Sequence, residues 1–184
     1  ASDVYKRQAM THAQNLEPTH APGWFNLGSV QQRSALVNEA LASYRRAVDA
    51  DSTYAKAAEK MAALAEEHGR IEAYMEAARL LLQMDGEHVI GEAYATMLIQ
   101  LAQGESDVMD QVAGLPPTLP AGPDMAREAL TIMKPEPSPQ RALALSLSLQ
   151  HSDAVLMWKS LIQHEPNVAS CLLYTSDAAD DSLR

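Results

Sequence analysis

Apolar residues recur every three or four positions through most of the chain, the spacing that lines one face of an α-helix. Trp24, Leu27 and Gly28 share a face of a first helix within residues 21–54, and Ala40, Tyr44 and Ala47 share a face of a second. Residues 55–88 carry Ala58, Met61, Ala62 and Ala78 in the corresponding places, with Gly69 in the turn. Two of those places differ in size: Ala58 stands where Trp24 stood, and Leu81 where Ala47 stood. Residues 88–103 predict a further amphipathic helix stopped by Gly104, and a short helix follows at 106–113. The four prolines of 114–123 preclude continuous helix there. Helix resumes at Asp124–Met133, and residues 134–139 break it again. From 138 onward Ala142, Leu145, Ala154, Trp158, Leu161 and Pro166 restore the earlier spacing, with Trp158 in the aromatic place and Pro166 closing the stretch.

The repeat length is 34 residues, a period that signals stacked helical hairpins. Pro18 lies one period before Ser52, and Ala13 occupies the matching small position, so Met10–Pro18 reads as the end of a preceding unit. The arrangement in 21–54 resembles the tetratricopeptide repeat, a helix–turn–helix unit with eight marked positions. Six are filled, by Trp24, Leu27, Gly28, Ala40, Tyr44 and Ala47; Gln31 stands where Tyr is usual and Ser52 where Pro is usual. The small residues let two helices cross closely and the aromatic ones fill the space that remains. A single hairpin leaves an apolar face uncovered, so units must stack. The expected fold is therefore all-α: tetratricopeptide-like hairpins in a short right-handed superhelix, an α-α solenoid. Its organisation is 9–20 as the end of a unit, 21–54 as the best unit, 55–88 as a degenerate one, 89–113 as a helical pair, 114–123 as a Pro-rich loop and 124–170 as a degenerate repeat.

Residues 1–8 and 171–184 break this pattern. They resemble translated sequencing-adapter read-through of the kind found at the ends of metagenomic reading frames, and they are excluded from functional argument.

Composition narrows the classes. The chain has 184 residues, a net charge of −10, 8 Gly, 1 Phe and 1 Cys. An all-β domain is disfavoured by the abundance of Ala, Leu, Glu, Gln and Met. The acidic balance and the lack of a Lys/Arg cluster speak against nucleic acid and against an anionic membrane surface. No apolar run reaches the length of a membrane span. The lone Cys171 forms no internal disulfide, and the compartment, cytoplasmic or periplasmic, is left open.

The motifs of catalysis are missing: no phosphate-binding glycine loop, no nucleophile elbow. The six His are scattered, with no i, i+4 pair for a metal, and His68 and His88 read as residues that end or flank helices. Glu66, Glu67, Glu72 and Glu76 suit a solvated face, and the Met residues suit core filling. Pro117, Pro120 and Pro123 have the spacing of a polyproline ligand but no basic residue inside the loop, so a linker is the better reading. No enzyme activity, metal or cofactor is expected of this chain.

The resemblance implies a concave groove, lined by the first helix of each unit, that binds a protein or peptide. The groove positions match Phe25, Asn26, Ser29 and Arg33 in one unit and Lys56, Glu59, Lys60 and Ala63 in the next. Asn26, Lys56 and Lys60 coincide with three of the five positions of the carboxylate clamp, with which cochaperones of the family hold a partner's C-terminal carboxylates; the two upstream clamp positions precede residue 1. The candidate peptide-binding residues are thus Phe25, Asn26, Arg33, Lys56 and Lys60. The leading expectation is a non-enzymatic scaffold or adaptor. The alternatives are a helical arm of a larger sulfotransferase, glycosyltransferase or methyltransferase, and a periplasmic assembly factor.

Overall fold

The structure is a computed structural model that describes residues 19–103 and 122–164, together with positions 4 and 8. Among the described residues there are eight helices and no strands: α1 (Ala21–Arg33), α2 (Val37–Ala50), α3 (Ala55–Glu67), α4 (Ile71–Met84), α5 (Ile90–Gln103), α6 (Gly122–Ile132), α7 (Pro139–Leu147) and α8 (His151–His164). They belong to two compact units, one holding residues up to Tyr94 and the other beginning at Ala95. The readings placed on Met10–Pro18, 106–113, 114–121, Pro166 and the two chain ends (positions 4 and 8 apart) lie outside the described residues.

In the first unit the 34-residue period is a structural period. Ala21 and Ala55 open the first helices and Val37 and Ile71 the second, each pair one period apart, and Arg33/Glu67 and Ala50/Met84 close them likewise. The side chains that leave water repeat too: Trp24, Leu27, Gly28, Val30 and Gln31 in α1 are matched by Ala58, Met61, Ala62, Leu64 and Ala65 in α3. In the second helices Ala40, Leu41, Ser43, Tyr44 and Ala47 are matched by Tyr74, Met75, Ala77, Ala78 and Leu81. Helix α1 packs on α2, α2 on α3, and α3 on α4, which is solenoid stacking.

The contact between α1 and α2 shows why small residues are needed. A Cβ added to Gly28 would lie 2.8 Å from the Tyr44 ring, so the ring lies directly against the α1 backbone. Tyr44 is fully buried, and its hydroxyl donates to Gln32 Oε1 at 2.8 Å. Trp24 is buried beneath the Arg46 guanidinium, which stacks 4.8 Å above its ring. Gln31, in the place where the repeat usually has Tyr, is also buried; Ser43 Oγ donates to its Oε1 at 2.6 Å, so this polar pair is satisfied across the two helices. In the second hairpin the equivalents of Gln31 and Ser43 are Ala65 and Ala77, both fully buried.

The second hairpin compensates for its departures. Ala40 and Tyr44 of α2 become Tyr74 and Ala78 of α4, so the aromatic ring moves one turn towards the N-terminus while the small residue moves the other way. Tyr74 meets Tyr94 of α5 edge-on, with centroids 6.4 Å apart. Leu81 is likewise buried.

The turns repeat as closely as the helices. Ala35 and Gly69 have φ of 57° and 60°, the left-handed conformation that ends a helix. Leu36 N–H then donates to Gln31 O and Arg70 N–H to Ala65 O, the six-to-one bond of the Schellman motif. Between hairpins Asp51 and Asp85 leave the helix in extended conformation. Their carboxylates accept from Thr53 N–H at 2.9 Å and Glu87 N–H at 3.1 Å. These Asx turns reverse the chain at the point where the repeat's usual Pro is replaced by Ser52.

In the second unit α6 packs on α7 and α7 on α8. Helix α6 begins at Gly122, earlier than the sequence pattern indicated, so Pro123 lies in its first turn, where a missing N–H costs nothing. Gly122 approaches Ala102 so closely that a Cβ would lie 3.1 Å from the Ala102 carbonyl oxygen. Ser138 caps α7, its hydroxyl accepting Arg141 N–H at 3.2 Å, with Pro139 in the first helical position. The Arg141 guanidinium reaches back to cap α6, donating from Nη1 to the carbonyls of Leu130, Met133 and Lys134 at 3.2–3.3 Å. Ala142, Leu145, Ala154 and Leu161 are buried between the helices, whereas Trp158 is only half-buried.

Candidate functional site

The exposed faces of α1 and α3 are set by what their other faces bury. With Trp24, Leu27, Gly28 and Gln31 turned inward, Pro22, Asn26 and Arg33 are left exposed on α1. With Ala57, Ala58, Met61 and Ala62 turned inward, Lys56, Glu59, Lys60 and Ala63 are left exposed on α3. Asn26 and Lys60 stand one period apart and hold equivalent places in consecutive hairpins. Lys56 and Lys60 are one helical turn apart on the same face.

Phe25 is half-buried and has a packing role. Its ring lies 5.7 Å from that of Tyr44, tilted by 47°, and 5.6 Å from that of Tyr54, edge-on at 78°. It thereby joins the first hairpin to the linker that leads into α3, and only its outer part borders the exposed face. One period later the same pair of places holds Glu59 and His88, with Glu59 Oε1 3.9 Å from His88 Nε2. His88 Nδ1 accepts the Ile90 N–H at 3.2 Å and so helps to begin α5. That bond leaves the imidazole proton on Nε2, facing the carboxylate. An aromatic contact in one hairpin is thus replaced by a polar one in the next.

Beneath this face lies the Tyr44 hydroxyl, 3.4 Å from Ser29 Oγ, which itself donates to the Phe25 carbonyl. Burial pushes the Tyr44 phenol above its ordinary pKa, with the Ser29 hydrogen bond and the Arg33 charge opposing. Tyr74 is pushed up by burial too, and by the Glu66 carboxylate. Glu76, which the sequence pattern placed on a solvated face, stays partly exposed there and also pairs with Arg45 of α2, tying the two hairpins together. Glu66, Glu67 and Glu72 are exposed.

The structure therefore places Asn26, Lys56 and Lys60 on exposed faces of α1 and α3, Arg33 at the exposed end of α1, and Phe25 in an aromatic cluster at the border. Tyr54 and His88 belong to the same border; Tyr54 was missed by motif reasoning, and His88, read as a residue that flanks a helix, does stand just ahead of α5. The signal that relates the two was the single period that separates them. Among the described residues no group of three or more His, Cys, Asp or Glu could hold a metal ion, and no helix is long and apolar enough to cross a membrane.

No family model matches the chain, and no curated protein matches it. Among solved structures, a crystal structure of MamA is similar at 16% identity and a TM-score of 0.39, over 89% of this chain and 89% of that one. A second MamA structure is similar at 16% identity and a TM-score of 0.39, over 89% of this chain and 83% of that one. A tetratricopeptide repeat protein from Parabacteroides merdae ATCC 43184 is similar at 20% identity and a TM-score of 0.42, over 89% of this chain and 60% of that one. Those overlaps are low. It is the 34-residue recurrence of helix ends, buried positions and left-handed turns that makes residues 21–84 two stacked tetratricopeptide-like hairpins, within a chain whose described residues are all helix, turn or loop.

Proposed function

We propose that the chain is a non-enzymatic protein-interaction scaffold whose exposed α1–α3 face receives an extended peptide bearing carboxylates. The observation that carries this reading is the placement of Asn26, Lys56 and Lys60 on matching exposed faces of consecutive hairpins. An Asn amide both donates to and accepts from a peptide backbone, holding it extended. Two ammonium groups one turn apart pair with a carboxylate as point charges, at the cost of little desolvation on an open face. In a chain of net charge −10 such a cationic spot also steers an anionic segment to this face. Glu59 is exposed beside Lys56, on the side away from Lys60 and towards His88, and selects against a second carboxylate at its own position.

The test is fluorescence anisotropy of labelled peptides, one ending in a free Asp carboxylate and one amidated. The reading predicts tighter binding of the free acid, weakening as salt rises. Lys60→Glu is expected to reduce affinity about tenfold, roughly 1.4 kcal/mol. Equal affinity for the two peptides, or an unchanged affinity in Lys60→Glu, removes the clamp.

A further inference from the structure

The place where a first helix meets the linker behind its hairpin is filled twice in the first unit, with different chemistry. In the first hairpin it holds Phe25 and Tyr54, whose rings meet edge-on. One period later it holds Glu59 and His88. The aromatic pair shows that packing alone does not call for an acid and an imidazole there. The second pair also brings a new property. Imidazole is the side chain whose charge ordinarily changes between about pH 5 and about pH 8. Such a change falls on the helix that carries Lys56 and Lys60.

The geometry fixes what a proton does here. The His88 side chain is 20% exposed and that of Glu59 53%, so the ring is held while the carboxylate reaches water. In the neutral ring Nδ1 accepts the Ile90 N–H at 3.2 Å and the Nε2 proton faces Glu59 Oε1, with 3.9 Å between the heavy atoms. Nδ1 is then the one nitrogen able to take up a proton, and doing so turns an acceptor into a donor. The Ile90 N–H loses its partner, and the ring becomes a cation opposite Glu59. Other charged groups surround this pair. Lys56 and Lys60 lie on α3 with Glu59; Asp85 and Glu87 lie in the linker of His88, where the Asp85 carboxylate accepts the Glu87 N–H; Glu92 lies in the first turn of α5. The last turn of α4 carries no charged side chain. Of these groups Glu59 stands opposite Nε2.

We infer that His88 is a proton-operated control of the charge on the α3 face. With the ring neutral, the Glu59 carboxylate sets its full charge beside Lys56, one turn away. With the ring protonated, Glu59 is paired and the two lysines present their charge undiminished. The inference rests on the reading of this face as a site for a carboxylate-bearing peptide, whose binding the proton then strengthens.

The test repeats the anisotropy titrations of the free-acid peptide at about pH 5.5 and about pH 8, on the full chain and on His88→Asn. The Asn amide oxygen lies where Nδ1 lies and can accept the Ile90 N–H, but it takes up no proton in this range. The full chain is expected to bind about threefold tighter at the lower pH, the effect of one charge pair on an exposed face. His88→Asn is expected to bind equally at both. A pH dependence that survives in His88→Asn belongs to other groups, such as the exposed His20 and His68, and overturns the inference. So does full-chain binding that pH leaves unchanged. Absence of binding at both pH values removes the peptide reading instead, and nuclear magnetic resonance of the free chain then decides. The Ile90 amide and Glu59 carboxyl signals are expected to move with the His88 ring signals over this range, and to stay in place in His88→Asn. Movement of both upholds the control of charge without the peptide, and failure of either to follow the ring overturns it.

Discussion

The most demanding contact in the first hairpin is between Gly28 and the Tyr44 ring, because the ring occupies the space any β-carbon would need. Gly28→Leu is expected to lower stability by about 2–3 kcal/mol through overpacking, read as a lower melting temperature by circular dichroism. An unchanged melting curve would mean that the helices do not cross closely there. The Gln31–Ser43 pair makes a different prediction. Gln31→Ala leaves the buried Ser43 hydroxyl without its acceptor and is expected to cost about 1–3 kcal/mol. The double variant Q31A/S43A reproduces the Ala65/Ala77 pair of the second hairpin and is expected to cost less than the sum of the single changes. Additive losses in denaturant titrations would contradict the coupling. Gly28 and Tyr44 were legible as a small and a large residue at repeat spacing. The polar pair was not, because Gln31 alone looks like a departure, and only the facing helix shows that Ser43 answers it. The exchange of Ala40 and Tyr44 for Tyr74 and Ala78 escaped notice for the same reason: volume is conserved across two positions and changes at each.

At the scale of the element, three turns share one conformation although only one carries its usual residue. Gly69 was readable as a turn residue, and at φ 60° it has the residue that this conformation favours. Ala35 and Leu149 adopt φ of 57° and 66° with side chains that resist it, so nothing in the local sequence announced those turns. What holds them there is the pair of Schellman hydrogen bonds and the packing of the helices on either side. Ala35→Gly and Leu149→Gly are each expected to stabilise by about 1 kcal/mol, and Gly69→Ala to destabilise by a similar amount, measured by chemical denaturation. Destabilisation by both glycine substitutions would show that the turns are not left-handed. The linkers carry a second device. Thr53 donates from its side chain and its backbone to the Asp51 carboxylate and holds its pKa below the ordinary value. The contribution of this turn is present above the unfolded carboxyl pKa and is lost as pH falls through the lower folded value. Asp51→Asn is expected to flatten that acid limb.

For the molecule as a whole, burial raises the phenol pKa of both Tyr44 and Tyr74. A raised folded pKa favours the neutral phenol in the native state. Their contribution to stability is therefore complete below the unfolded phenol pKa of about 10 and is lost as pH climbs above it towards the folded values. Melting temperature is expected to fall on the alkaline side, and Tyr44→Phe is expected to reduce the slope of that fall. The all-helical class and the 34-residue period were legible in residues 21–88, where small and large positions alternate in a regular manner. The second unit was legible in its last hairpin, through Ala142, Leu145, Ala154 and Leu161. The Arg141 cap over the end of α6 was not, because it joins groups that no helical periodicity relates. Lys56, Lys60 and Asn26 could be named from the resemblance, whereas the Phe25–Tyr54 and Glu59–His88 pairs that border them required the fold. The most direct measurement of the stacked register is a nuclear Overhauser spectrum of the folded chain. The account predicts cross-peaks between the Gly28 α-protons and the Tyr44 ring, and between the rings of Tyr74 and Tyr94. A spectrum with both rings assigned and neither cross-peak present would contradict it.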